Sequence, residues 1–265
     1  MTDSQCNALE SIVLSLRSAK SILFITGAGI SAESGIPTYR GIGGLYNADS
    51  TEDGIAIEEA LSATMLAKNP ALTWKYLAQI GLAVQSARHN RAHEIIAKLE
   101  SRFPRIWTLT QNVDGFHRSA GSKNVIEAHG NMHSWSCTRC EYSESLDTFE
   151  SLSIPPRCPR CGALVRPDVV LFGELICGPG IDRLETELEK GFDVVFSIGT
   201  TCVFPYIQAP IHAANRAGNV TVEINPCETE VSYLVDYRLT MPAGEALQAI
   251  WNRLEGDQVD AIDGM

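Results

Sequence analysis

Eight cysteines stand in this chain of 265 residues, and four of them come in two C-x-x-C pairs, Cys137/Cys140 and Cys158/Cys161. Seventeen residues, 141–157, separate the pairs. Each C-x-x-C turn aims two thiolates at one point, and two turns at this spacing match a four-cysteine zinc ribbon. Pro159 and Gly162 suit such tight turns. Four sulfurs complete a tetrahedral shell and leave no position for water, so the expected Zn2+ is structural, one per chain. The competing reading is two buried or disulfide-linked pairs. Cys6, Cys177, Cys202 and Cys227 have no comparable spacing.

A second kind of chemistry is proton transfer. His129 sits in E-A-H-G just before the cysteine unit. A histidine followed by glycine at a junction can project into a cleft, where its imidazole titrates near neutrality. His117 and His133 compete for the role, and spacing does not choose among the three.

These residues need a scaffold. Residues 22–25 form an apolar run without alternation, as in a buried parallel strand, and it runs straight into Gly27, Ala28 and Gly29. Glycines there allow a tight turn and bring bare N–H groups near a phosphate. Ser31, Glu33 and Ser34 follow. A full dinucleotide fingerprint is missing: Ala32 stands where its third glycine belongs. Taken alone, the stretch fits an ordinary strand–turn–helix equally well. Three more β-runs, 105–110, 194–198 and 221–224, end in the same way. Gln111, Asn112 and Asp114 follow the first, Gly199, Thr200 and Thr201 the second, Asn225 the third. Four such endings are what a doubly wound parallel sheet with one crevice along its carboxyl edge would show.

Helices are predicted at 4–17, 55–68, 71–86, 91–99, 182–190, 205–216 and 244–254, with a frayed tail from residue 255. His93 is expected to pack or cap rather than react. Residues 41–53 form a long loop rich in glycine, able to close over a ligand with Tyr46 as an aromatic cover. The net charge of −11 argues against nucleic-acid and anionic-membrane binding, and no apolar run approaches the ~20 residues of a spanning helix. The N-terminus lacks a basic signal region, so a cytoplasmic, reducing setting and a monomer are expected.

The segments 27–41, 110–117, 129–130, the paired C-x-x-C units, 166–174, 197–201 and 223–225 together resemble the sirtuins, NAD-dependent protein lysine deacylases. The resemblance spans about residues 21–244. It implies an α/β fold: a Rossmann-like part (about 1–40, 87–132 and 168–254) and a smaller zinc-binding and helical part (about 41–86 and 133–167). It implies NAD as co-substrate, with its pyrophosphate on the Ala28 and Gly29 amides beside Gly27, Ser31 and Glu33. Arg40 and Tyr46 match the cofactor loop. Gln111, Asn112 and Asp114 match the nicotinamide and ribose pocket. Gly199, Thr200, Thr201, Asn225 and Ala243 match the ribose and adenine contacts.

The resemblance makes His129 the general base, with Asn112 and Asp114 as its catalytic partners. An acyl-lysine peptide would add as a strand between Val170, Phe172, Gly173 and Glu174 on one side and residues 202–204 on the other. The products would be free lysine, nicotinamide and O-acyl-ADP-ribose. Relatives that remove acidic acyl groups carry Tyr and Arg three apart in the helix holding Trp74. Here Leu77 and Ile80, or by a one-residue slip Tyr76 and Gln79, stand there. No cation is offered to a carboxylate, so acetyl or a longer apolar acyl group is expected. Tyr39 stands where many relatives carry Phe. Two other readings are mono-ADP-ribosyl transfer from the same site, and a catalytically inert NAD- and zinc-binding module.

Overall fold

The computed structural model describes residues 2–36, 51–146, 148–150 and 152–262, with side chains described up to residue 256. Helix α1 (Asp3–Ser18) opens on a capping box between Thr2 and Gln5, and buries Leu9, Ile12, Val13 and Leu16. That face is the one its apolar spacing predicts. Strand β1 (Ser21–Thr26) is buried at all six positions, as a strand covered on both faces must be. It leads into the one-turn helix α2 (Ala28–Ser31).

The predicted helix over 55–68 is two helices, α3 (Ile57–Ala60) and α4 (Ala63–Lys68). Ser62 breaks the run by capping the Met65 N–H at 3.0 Å. The Leu61 carbonyl and the Ala63 N–H are drawn off to the backbone of Phe172. Helix α5 (Pro70–Ser86) has its proline in the first turn, and α6 (Arg91–Leu99) is capped by Asn90, with His93 completing the cap. Strand β2 (Arg105–Thr110), the short α7 (Phe116–Ser119) and strand β3 (Val125–Glu127) follow. Strands β4 (Gly130–Cys137), β5 (Ser143–Ser145) and β6 (Val165–Val169) come next. The chain then alternates: α8 (Pro179–Glu189), β7 (Val194–Ile198), α9 (Pro205–Arg216), β8 (Val220–Ile224), β9 (Tyr237–Leu239) and α10 (Ala243–Ile262). The backbone stays helical beyond Glu255, where the sequence predicts fraying.

Six strands form one sheet in the order β3-β2-β1-β7-β8-β9, every neighbouring pair parallel. Helices α1, α6 and α10 bury their apolar faces on one side, α8 and α9 on the other. This is the expected doubly wound α/β architecture. Strand order reverses between β1 and β7, where the loops beyond the carboxyl ends splay apart and a ligand can enter. Strands β5-β4-β6 form a separate antiparallel sheet. It shares a second apolar core with α3, α4 and α5. There Trp135 packs on Trp74 (ring centroids 4.9 Å) and on Phe149 (5.5 Å), while the Trp74 indole N–H donates to the Val165 carbonyl.

Between α6 and α7 two imidazoles are walled off from water. His93 is fully buried and His117 nearly so, their ring centroids 4.8 Å apart. Burial pulls His93 down to about 2 and His117 to about 3, so both are neutral in the fold. The unfolded chain protonates them near pH 6.5. Below that pH the unfolded state holds more protons, so their contribution to stability is present above about 6.5 and is lost as pH falls. Each group costs about 1.4 kcal/mol per pH unit, or about 4 kcal/mol for the pair at pH 5. Urea denaturation at pH 7 and pH 5 should show this loss, with a His117→Phe variant showing about half of it.

Candidate active site at the strand switch point

The loops after β1, β2 and β7 meet at the switch point. Gly27 and Gly29 are required there by close approach. A Cβ on Gly29 would stand 2.6 Å from the Gly199 Cα, and one on Gly199 would stand 2.5 Å from the Ile30 nitrogen. Gly199 also has φ +59°, a conformation that favours glycine. The Gly29 N–H donates to the Gly199 carbonyl at 2.8 Å and the Gly27 N–H to Ile198 at 3.1 Å. The Gly29 amide, expected to face a phosphate, is engaged here in joining the two loops. The Ala28 N–H, at the first helical position, has no partner within its own helix.

Asn112 bridges the β1 and β2 loops, its amide donating to the Gly27 carbonyl at 3.1 Å and to Ser31 Oγ at 3.2 Å. The Ser31 hydroxyl donates to Asp114 Oδ2 at 2.7 Å, and the Phe116 N–H donates to Oδ1 at 2.9 Å. Asp114 is buried, and burial pushes its carboxyl up. Gln111 reaches the third loop, donating from Nε2 to Thr200 Oγ1 at 2.8 Å. The Asn225 amide donates to the Thr200 carbonyl at 3.1 Å. Side chains from four strand ends thus form one hydrogen-bonded floor.

His129 joins this floor. Its Nδ1 lies 2.8 Å from the Gln111 carbonyl oxygen, and Nε2 meets the hydroxyl of Tyr206 at the start of α9. Burial lowers its pKa, partly offset by the bond to Gln111, so the ring is neutral near pH 7. The backbone after it is fixed: Gly130 has φ +80°, and a Cβ there would lie 1.8 Å from the Asp168 carbonyl oxygen. The competing histidines sit elsewhere. His117 is buried against Thr26 Oγ1 at 2.9 Å, and His133 faces the Leu146 carbonyl at 3.2 Å.

Other expected ligand residues are placed less directly. Ala243 is buried, at the start of α10, in the core that α1 and α6 share. The Glu33 carboxylate accepts the Gly244 N–H at 2.7 Å and ties the first loop to α10. Thr201 is exposed, its carbonyl accepting from Glu230. Tyr39, Arg40 and Tyr46 lie outside the described residues.

The expected peptide edge is partly occupied. Phe172 donates its N–H to Leu61 and accepts from Ala63, both at 3.0 Å, and Val170 donates to the His129 carbonyl at 2.9 Å. The Glu174 carboxylate is held by Arg166 and by the Leu171 N–H, and Arg166 keeps it below the usual carboxylate range despite burial. Of the four predicted positions, Gly173 alone makes no main-chain hydrogen bond to the described residues. On the other expected edge, Val203 and Phe204 are exposed, 54% and 39%. Sequence reasoning missed Tyr206; extending the search past the loop after β7 into the first turn of α9 would have found it.

The four cysteine sulfurs lie within 4.8 Å of one another, and all eight cysteines of the chain are free thiols. Cys137–Cys161 and Cys140–Cys158 are 3.5 and 3.6 Å apart. A tetrahedron of ~2.3 Å Zn–S bonds has edges of roughly 3.8 Å, so this cluster fits a zinc ion.

Against known proteins, the Sir2 family model matches residues 27–205. NAD-dependent protein deacylase 2 of Pseudomonas aeruginosa is 49% identical over 88% of this chain and 91% of its own length. NAD-dependent protein deacylase 1 of Archaeoglobus fulgidus is 37% identical over 91% and 96%. The solved complex of a Sir2 homologue with NAD superposes with a TM-score of 0.84 at 35% identity, covering 94% of each chain. A complex of Sir2 with a p53 peptide and NAD+ gives 0.79 at 28% identity, over 92% of this chain and 98% of that one. The sheet order, the cysteine quartet and these likenesses across nearly the full length agree: the chain belongs to the Sir2 family.

Proposed function

We propose that this protein removes acyl groups from lysine side chains of proteins at the expense of NAD, in a cytoplasmic setting. It is an NAD-dependent protein lysine deacylase with a structural zinc site. The observation that carries the reading is the convergence of Gln111, Asn112, Asp114 and His129 on the β1/β7 switch point. Its relatives include NAD-dependent protein deacylases, and a neighbouring structure holds a peptide together with NAD+.

Bound NAD supplies an electrophilic sugar carbon and a sugar hydroxyl. Asn112 and Asp114 hold the floor of the sugar pocket rigid, so orientation is set before substrate arrives. His129, neutral and with a bare Nε2, takes a proton from the hydroxyl. Gln111 and Asn225 fix the Thr200 loop on the opposite wall. Ala28 offers a backbone N–H with no partner in its own helix at the mouth of the loop. The peptide pairs with Gly173 on one side and Val203 on the other, leaving Phe172 to contact it by side chain alone.

Zinc, held by Cys137, Cys140, Cys158 and Cys161, stays outside the reaction because its shell is full. The division into a Rossmann-like part and a zinc-and-helix part is supported by their separate apolar cores. The acyl group is acetyl or a longer apolar chain. Leu77 and Ile80 are buried among apolar side chains, and the Tyr76 hydroxyl is spent on Asp53.

The test is nicotinamide release with acetyl, butyryl, myristoyl and succinyl peptides and with none. Release that requires an apolar acyl peptide, with succinyl at least about tenfold slower, is the expected outcome. Labelling of protein without an acyl peptide would point to ADP-ribosyl transfer, and no release at all to an inert binding module.

A further inference from the structure

Tyr206 stands at the second position of α9, and its phenol oxygen meets Nε2 of His129. The direction of that bond is decided at the far side of the imidazole. There Nδ1 faces the Gln111 carbonyl oxygen at 2.8 Å, which only accepts, so Nδ1 carries the hydrogen. In a neutral ring Nε2 is then the bare nitrogen, and Tyr206 is the donor. Burial pushes the Tyr206 phenol up, so it keeps its hydrogen at any working pH. The phenol ring is held in place. It stacks on Phe204 at 5.8 Å and 24°, and Phe204 stands edge-on to His129 at 6.1 Å. The one nitrogen able to take a proton is therefore the one Tyr206 occupies.

We infer that Tyr206 is a positioning residue for His129: it holds the imidazole in its Nδ1–H form with the basic nitrogen aimed at one spot, and yields that spot to the sugar hydroxyl of the bound coenzyme. The inference rests on His129 being the base. A donor to Nε2 stabilises only the neutral ring, since a protonated Nε2 cannot accept. The phenol thus adds to burial in keeping His129 ready to accept a proton. Among the described residues, the groups against the ring are the Gln111 carbonyl, the Tyr206 phenol and the Phe204 ring. The carboxylate on the neighbouring loop, Asp114, is bonded to Ser31 and the Phe116 N–H instead.

Tyr206→Phe keeps the ring and its stack and removes only the donor. Nitrogen NMR on histidine-labelled protein reads the His129 tautomer and titration directly. In the unaltered protein Nδ1 is protonated and Nε2 is bare. In Tyr206→Phe the His129 pKa rises by about half to one unit, the worth of one hydrogen bond. The acidic limb of kcat/KM moves to higher pH by the same amount, because a base must be neutral to act. Melting temperature falls by no more than about 4 °C, as the loss of one hydrogen bond requires, and NAD still binds; a merely structural role for the phenol would lower stability without moving the pH limb. An Nε2–H tautomer in the unaltered protein, or identical His129 titrations in the two proteins, overturns the inference. A limb that stays put while the imidazole pKa moves overturns the base assignment instead.

Discussion

Replacing His129 with alanine abolishes deacylation and leaves NAD binding in place. The residue holds one ring nitrogen against the Gln111 carbonyl and keeps the other bare, in a setting where burial lowers its pKa. Losing a positioned general base costs about 10²–10⁴ in rate. Neither competing histidine can substitute, because His117 is bonded to Thr26 and His133 faces the Leu146 carbonyl. The floor survives the change. Gln111 still reaches Thr200, and Asn112 still reaches Gly27 and Ser31. Acyl-peptide-dependent nicotinamide release should therefore fall below about 1% while NAD affinity, read by calorimetry, stays within about threefold. Full activity in this variant would end the base assignment.

Replacing Cys158 with serine strips the zinc and melts the three-stranded sheet. Cys158 is buried, with its sulfur 3.6 Å from that of Cys140. A hydroxyl does not ionise to replace a thiolate, and three sulfurs hold the ion far more weakly. Structural zinc sites contribute on the order of 10 kcal/mol of apparent free energy to the folded state. Strand β5 has three exposed residues and could not hold the small sheet by apolar burial. The expected result is zinc content well below one per chain and a melting transition lower by tens of degrees or split in two. A chelator should reproduce both in the unaltered protein. Because the small sheet shares its core with α5 through Trp74 and Trp135, the damage reaches the helical insertion too. Unchanged zinc content and melting rule the site out.

Much of the architecture was legible because it is written locally. The cysteine quartet depends on spacing alone, and it folds into one cluster. The four long β-runs are rich in apolar and β-branched residues, and all four pair side by side in the main sheet. What was not legible depends on tertiary pairing. Strands β3 and β9 have three residues each and too little pattern to stand out; the larger sheet recruits them at its edges. Helix 55–68 is interrupted because a distant segment around Phe172 takes two of its backbone groups. The same pairing occupies the main-chain groups of Phe172. The glycines after β1 suggest room for a phosphate, and their spacing alone does not show that they also pack against Gly199. Tyr206 escaped notice because an aromatic residue in a first helical turn ordinarily packs.

That glycine contact has a bearing on directed evolution of the protein. The atoms that would collide with a methyl group on Gly29 or Gly199 belong to the main chain, not to a side chain that could be trimmed. No second-site suppressor can relieve such a clash by shortening a neighbour. A mutant library that diversifies either position should come back from selection with glycine restored, whatever else it is allowed to change.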